Sequence, residues 1–253
     1  MSEPRSQLAG AATQPVVAWR IGDAARPWRL GPQQLDLWVA LVGLLALLAW
    51  EAGGLDLALT RQYGTPGGFA WRDAWLTRAL LHDGGRALGW CVMAFMVGRA
   101  LWRADDPAAR RQRWHWIGVT LLCLLLVPTI KRLTASSCPW DLAEFGGAAA
   151  YVPHWRLGVR DGGPGHCFPS GHAVAAFAFL TLYFDWRELR PLLARACLAL
   201  VCVVGALYGW AQLARGAHYV SHTLWSAWLC WAVCALAAYR LARRAASVPI
   251  ASG

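Results

Sequence analysis

Six long stretches without a charged side chain recur along this chain of 253 residues, and they constrain its fold more than any other feature. A helix that crosses a bilayer needs about 20 largely apolar residues. The last two stretches meet this length well, whereas the first, second and fourth must recruit flanking residues such as Glu51 or Arg99. The pattern predicts an all-α integral membrane protein with six transmembrane helices. In chain order the stretches are Leu37–Trp50, Ala87–Gly98, Trp116–Ile130, Ala173–Phe184, Ala196–Ala214 and Thr223–Tyr239.

The basic residues between these stretches predict how the helices are oriented. Fifteen Arg and Lys fall on one set of alternating segments: 1–34, 99–113, 185–195 and 240–253. Nine fall on the other set: 51–86, 131–170 and 214–222. Because cytoplasmic segments are enriched in Arg and Lys, both termini are expected in the cytoplasm. The formal charge of +10 is then mostly a consequence of topology, and no nucleic-acid-binding motif is evident.

A single membrane domain is expected over residues 35–245, with the external loop 131–169 as a lid over one end. Residues 1–34 contain four Arg, several Pro and no apolar core, which indicates a disordered cytoplasmic lead and no cleavable signal peptide. Residues 246–253 are expected to form a cytoplasmic tail. The predicted location is the bacterial inner membrane.

The eight cysteines fall into two groups. Six lie within the apolar stretches and are expected to behave as small buried hydrophobic residues. Cys138 and Cys167 lie outside them, in the same external loop. An oxidising compartment would allow these two to pair and close the loop. The alternative is two free thiols that never meet.

One polar-to-apolar junction, Gly165–His172, has the features of an anion-binding helix start. Pro169 favours an extended approach, and Ser170 is a suitable N-cap for a helix that begins there. The first N–H groups of a helix have no partner within it and attract anions. Gly171 allows a ligand to approach the backbone, and His172 can exchange a proton near neutral pH. An ordinary capped helix is the simpler interpretation of this segment taken alone.

Alternating topology brings two further segments to the same membrane face. Lys131, the only lysine in the chain, follows the third apolar stretch together with Arg132. His218 and His222 lie in the turn between the last two stretches. Two histidines, cations and backbone donors are the groups that phosphoryl transfer through a phosphohistidine requires.

These motifs resemble those of the type 2 phosphatidic acid phosphatase (PAP2) superfamily. The second motif of that family, Pro-Ser-Gly-His, stands intact at Pro169–His172, and the Gly-x-His core of its third motif is matched by Gly216–His218. Lys131 and Pro139 keep the spacing of the first motif. The resemblance covers about residues 120–230, and it implies a PAP2-like helical bundle that works without metal or cofactor.

Three positions depart from the family pattern. Cys138 and Gln212 stand where arginines are expected, and His222 stands where an aspartate is expected. Arg132 and Arg215 are nearby and offer guanidinium groups that could replace the missing ones. Both could equally be interfacial anchors.

The resemblance implies a role for each site residue. His218 would attack phosphorus, and His172 would protonate the leaving oxygen. His222 would fix the tautomer of His218, with less stabilisation of the imidazolium than a carboxylate gives. Asp141 or Asp161 of the lid could supply that missing charge. The remaining candidates would bind the substrate phosphate: Lys131, Arg132, Ser170, Gly171 and Arg215.

The predicted function is hydrolysis of a lipid phosphate or diphosphate at the outer face of the membrane. The candidate lipids are a polyprenyl diphosphate, a lipid A phosphate, phosphatidylglycerol phosphate and phosphatidic acid. Three other interpretations remain open. The chain could transfer phosphate between lipids, it could be a catalytically inactive scaffold, or it could bind a metal through His166, His172, His218 and His222.

Overall fold

The computed structural model describes residues 31–102, 106–156 and 158–247. Most of the predicted cytoplasmic lead and tail therefore lies outside the described residues. The helices, in chain order, are α1 (Pro32–Ala52), α2 (Leu55–Thr60), α3 (Gly85–Leu101), α4 (Pro107–Leu133), α5 (Val174–Phe177), α6 (Thr181–Trp186), α7 (Pro191–Ala214) and α8 (Val220–Ala246). A short antiparallel hairpin, β1 (Gly64–Thr65) and β2 (Gly68–Phe69), follows α2.

Within the described residues, four helices are long and apolar enough to cross a membrane, namely α1, α4, α7 and α8. The second and fourth apolar stretches form shorter helices, as their length indicates. A π-helical segment, Leu76–Gly84, runs directly into α3. The fourth stretch forms α5, a 3₁₀ turn and α6, which together cover Val174–Trp186. The predicted class, a largely helical membrane protein, is confirmed.

Two tryptophans of the last helix hold the first helix beside it. The indole of Trp228 donates to the Ala40 carbonyl at 2.7 Å, and that of Trp231 donates to the Asp36 carbonyl at 3.0 Å. The Asp36 carboxylate also pairs with Arg187, just after α6. Helix α1 is thereby fixed along α8, and its C-terminal end lies where α8 begins.

The fourth apolar stretch lies at the centre of the bundle. Phe177, Phe179 and Leu180 are buried among side chains of α3, α4 and α8. Helix α7 approaches α5 so closely at Gly205 that a Cβ there would collide with the Phe177 ring. This packing fixes the turn that precedes α5, which carries the predicted Pro-Ser-Gly-His motif.

The external loop is folded and tied to the rest of the chain. Asp161 accepts hydrogen bonds from the Ser137 backbone N–H at 2.6 Å and from the Ser137 hydroxyl at 2.8 Å. The Trp140 N–H donates to the Gly216 carbonyl at 2.9 Å. Cys138 and Cys167 are joined in a disulfide, with Cα atoms 5.2 Å apart. The loop is therefore fastened to the segment that carries His218.

Replacing both Cys138 and Cys167 by serine is expected to lower the free energy of unfolding. Without the disulfide, the unfolded chain regains the conformational entropy of a loop of about 30 residues. The chain-entropy relation gives a loss of stability of about 3–4 kcal/mol. Denaturant titration in detergent would measure the change. Cys91→Ser, at an exposed free cysteine, is the matched control. An unchanged midpoint for the double variant would contradict the prediction.

Candidate active site

Lys131 reaches the site from the C-terminal end of α4. The side chain is half-buried, and its ammonium lies 4.0 Å from the position that a Cβ would occupy on Gly171. A Cβ on Gly171 would be in ordinary van der Waals contact with that ammonium, so glycine allows a ligand to approach the backbone beside a cation. That position is suited to a small anion.

The turn before α5 is held by hydrogen bonds to its own helix and to α8. The Ser170 hydroxyl accepts from the Ala173 N–H at 3.3 Å, as an N-capping side chain does. The Ser170 N–H donates to the His222 carbonyl at 3.0 Å. Residues 171–173 form a turn, and regular helix begins at Val174, later than the start at Ser170 that the sequence predicts.

His218 lies on a short loop between α7 and α8. Its backbone N–H donates to the Gln212 carbonyl at 3.2 Å. Gly216 has φ of +71°, and a Cβ at this position would collide with the ring of Phe69. Only glycine combines that backbone conformation with such close packing. The loop is thus specified by Gly216, and it points His218 into the protein.

The N-terminus of α8 is capped by a carboxylate from another element. Asp56 accepts from the Ser221 N–H at 2.9 Å and from the Trp50 indole at 3.0 Å. This fixes the first turn of α8 and with it His222. The Nδ1 atoms of His218 and His222 lie 3.5 Å apart, and both side chains are almost completely buried. This contact leaves Nε2 of His218 as the nitrogen directed away from His222.

The rings of His172 and His218 face one another across the turn. Their centroids are 6.2 Å apart, with the planes inclined by 54°. Gly171 precedes His172 directly in the chain. The ammonium of Lys131 lies beside Gly171. The structure thus brings together three segments that are far apart in sequence. The Lys131 ammonium is close enough to both imidazoles to lower their pKa values.

Burial and neighbouring cations keep both imidazoles neutral in the unliganded site. Burial lowers the pKa of His172 to about 3, and His82, Lys131 and Arg215 add to the effect. Burial and Lys131 hold the pKa of His218 well below its ordinary value. A neutral His218 has a free lone pair and can act as a nucleophile. The negative charge of a bound phosphate dianion would offset the effect of these cations and raise the pKa of His172. A proton on His172 is then favoured.

Stability is expected to fall as the pH decreases from 6.5 to 5. Burial holds the pKa values of His154 and His172 at about 4 and about 3, below their value of about 6.5 in the unfolded chain. The unfolded state then binds more protons, so acidification favours unfolding, with a slope for each group that rises from about 0.7 kcal/mol per pH unit at pH 6.5 to about 1.3 at pH 5. Apparent melting temperatures in detergent would measure this. His172→Gln should reduce the slope, and a flat profile for the wild type would refute the prediction.

The two candidate arginines occupy different environments. Arg215 is buried, and its Nε donates to the Arg72 carbonyl at 2.9 Å. It is close enough to His172 to lower the pKa of that ring. Arg132, in contrast, is exposed to the surroundings. The structure therefore brings Arg215, but not Arg132, into the buried part of the site.

His82 is a site residue that the sequence analysis missed. It lies near the end of the π-helical segment Leu76–Gly84, and its ring centroid is 4.0 Å from that of His172. Its Nδ1 is 2.8 Å from a carboxylate oxygen of Asp83. Rare π-helical segments often occur at functional sites. The available sequence signal was the adjacent His-Asp pair just before the second apolar stretch.

Histidines are concentrated at this end of the molecule. His154, from the lid, is a second site residue that the sequence analysis missed, and its ring lies 5.6 Å from that of His222. Five of the seven histidines in the chain form one connected group of rings: His82, His154, His172, His218 and His222. His166, in contrast, is exposed.

An apolar cavity of about 770 Å³ opens beside His172. Polar side chains lie at one end, where His82 and Arg86 adjoin Gly171 and His172. The rest of the lining comes from α3, α4 and the α5 region, and includes Trp90, Met93, Leu121, Leu125, Pro128 and Phe179. Trp90 and Leu125 are highly exposed on the outer surface of the bundle. The cavity therefore connects the imidazole site with the apolar surface.

Among the described residues, one group is close enough together to share a metal ion: Cys138, Cys167 and His218. The two sulfur atoms are bonded to each other in the disulfide and so are not thiolate ligands. The predicted alternative set, which includes His166, does not form such a group in the described part of the chain.

The fold and the site together define a class: a helical membrane protein with two facing histidines and a lysine at helix ends. The chain matches the family model of the PAP2 superfamily over residues 112–246, more than half of its length. It belongs to that superfamily, and the predicted resemblance is confirmed.

A similar solved structure is a transmembrane PAP2-type phosphatidylglycerolphosphate phosphatase from Bacillus subtilis. It has 15% sequence identity and a TM-score of 0.49, over 82% of this chain and 97% of that one. No curated protein matches the chain significantly.

Proposed function

We propose that this protein is a membrane phosphatase that hydrolyses a lipid phosphate or diphosphate through a phosphohistidine on His218. One observation carries the proposal: the rings of His172 and His218 lie 6.2 Å apart, the Lys131 ammonium lies beside Gly171, and Gly171 and His172 line an apolar cavity. This arrangement joins an anion site to a lipid site. Membership of the PAP2 superfamily supports the same chemistry.

In the first step, Nε2 of neutral His218 attacks phosphorus, and the bond from phosphorus to the lipid oxygen breaks. His172, protonated once the anionic head group is bound, donates its proton to that oxygen. The Lys131 ammonium and the backbone N–H groups after Ser170 stabilise the equatorial oxygens as charge develops. The lipid alcohol, or the lipid monophosphate from a diphosphate, then leaves.

In the second step, water attacks the phosphohistidine. His172 now accepts a proton from the water, the nitrogen–phosphorus bond breaks, and inorganic phosphate leaves. His218 returns to its neutral form. His172 acts as acid and then as base, and no metal or cofactor takes part in the proposed cycle.

The proposed topology has six crossings, both termini in the cytoplasm and the site on the periplasmic side of the bacterial inner membrane. The distribution of Arg and Lys supports this orientation. A disulfide in the lid suits an oxidising compartment on the same side. The short fourth crossing is compatible with the bilayer because Phe177, Phe179 and Leu180 are buried by other helices.

The lipid tail is proposed to occupy the apolar cavity between α3 and α4, with its head group at His172. Trp90 and Leu125 would then contact the tail where the cavity meets the bilayer. A cavity of about 770 Å³ lined by apolar side chains suits an acyl or prenyl chain.

The function is tested by release of inorganic phosphate from purified protein in detergent with EDTA present. The panel contains a polyprenyl diphosphate, phosphatidylglycerol phosphate, phosphatidic acid and a lipid A phosphate. We expect EDTA-insensitive release from at least one of them. Label that moves from one lipid to another without free phosphate would identify a transferase instead. Absence of both release and transfer would refute the proposal.

A further inference from the structure

The nucleophile has an unusual neighbour for the charge that it must carry. When Nε2 of His218 bonds to phosphorus, its ring becomes cationic, and the nearby Lys131 opposes that charge. The group beside Nδ1 is the imidazole of His222, at 3.5 Å, where an aspartate is expected in the family. A neutral imidazole can fix the tautomer of His218, but it brings no negative charge. The compensating carboxylate must come from elsewhere.

The nearby carboxylates of the lid and of α2 are already engaged. Asp161 holds the lid together through Ser137. Asp141 accepts from the Cys138 N–H at 3.1 Å, within its own turn. Asp56 caps α8 at Ser221. Each of these carboxylates is thus explained by a local folding role.

Glu51 differs because it faces the histidine group. It lies in the last turn of α1, and its side chain is only 10% exposed. One carboxylate oxygen accepts from the Trp225 indole at 3.1 Å and lies 3.3 Å from Nε2 of His154. An apolar helix carries a buried acid at this depth only at a cost, which a functional partner would explain.

His154 connects this carboxylate to His222. Its ring stacks on Phe168 at 3.8 Å with the planes inclined by 7°, so its orientation is fixed. Its centroid lies 5.6 Å from that of His222, edge to face. Successive contacts therefore connect a carboxylate, through two imidazoles, to the nucleophile. In order, these residues are Glu51, His154, His222 and His218.

We propose that Glu51, acting through His154 and His222, supplies the negative charge that stabilises the cationic His218 ring. This inference rests on the proposed function, and Glu51 and His154 are positioning residues within it. The Glu51 carboxylate, 3.3 Å from Nε2 of His154, favours a proton on that nitrogen. His154 then orients His222, and the buried negative charge favours the state in which His218 carries phosphate.

The first test is Glu51→Gln, which keeps the shape and the Trp225 hydrogen bond but removes the charge. We expect kcat to fall by about 10- to 100-fold, the size of effect known for outer-shell partners of metal-binding histidines, with KM nearly unchanged. His154→Gln should cause a similar fall, and the double variant little more, because the two act in series. Glu144→Gln is the matched control, since Glu144 pairs with Arg61 on the lid surface.

The second test restores a carboxylate at position 222. In a His222→Asp background, Glu51→Gln should change kcat by less than about twofold, since His218 then has a carboxylate of its own. Equal losses in both backgrounds, or unchanged kcat for Glu51→Gln in the wild-type background, would overturn the inference while leaving the phosphatase in place. A wild-type protein that releases no phosphate would instead overturn the proposed function.

Discussion

Replacing His218 by alanine is expected to lower kcat for phosphate release by at least about 10⁴-fold. The variant has no nitrogen with which to form the covalent intermediate, and water would have to attack the substrate directly. His218 is buried in a loop that Gly216 specifies, so truncating its side chain removes the reacting atom and leaves that loop intact.

Two measurements on the His218 variant separate loss of chemistry from loss of structure. Wild-type protein quenched during turnover with labelled lipid should carry acid-labile, alkali-stable phosphate, and His218→Ala should carry none. His166→Asn is the matched control, because His166 is exposed and has φ of +58°, which asparagine tolerates. More than about 1% residual activity in the alanine variant would exclude His218 as the nucleophile.

Replacing Lys131 by methionine is expected to lower kcat/KM by about 10³-fold, the second largest effect. Methionine retains the apolar stem but removes the cation beside Gly171. Lys131→Arg should recover little of the loss, because a planar guanidinium is larger than an ammonium and the space beside Gly171 is small.

Arg132→Met provides the comparison for the Lys131 variant. Arg132 is adjacent in sequence but exposed, so its replacement should have a much smaller effect than that of Lys131. Steady-state kinetics on the most active lipid would measure both variants. A Lys131→Met variant within threefold of wild type, or a greater loss for Arg132→Met, would contradict the assignment of the phosphate ligand.

The sequence was sufficient to predict the helical membrane class and the family, because both depend on local signals. Apolar runs and turn residues are read directly from neighbouring residues, and the Pro-Ser-Gly-His motif is contiguous. Lys131, His172 and His218 lie together near helix ends, as expected from the predicted alternation of crossings. These are the features that periodicity and spacing encode.

The remaining members of the site could not be predicted, since long-range packing brings them there. Glu51 lies at the end of an apolar run, where the sequence suggests only a helix boundary. His154 is in an irregular loop whose path depends on the disulfide and on Asp161. His82 depends on a π-helical segment, which has no sequence signature. The later start of α5 likewise depends on the hydrogen bond from the Ser170 N–H to the His222 carbonyl in α8.

The contact between α1 and α8 has a consequence for biosynthesis. Ala40 and Trp228, which join the two helices, are separated by 188 positions in the chain. The ribosome therefore delivers the first span long before its neighbour exists, and Asp36 and Glu51 enter the membrane before Arg187 and Trp225, the partners of their carboxylates, have been made. Because His222 lies in α8, the proposed site is complete only after that final helix has been inserted.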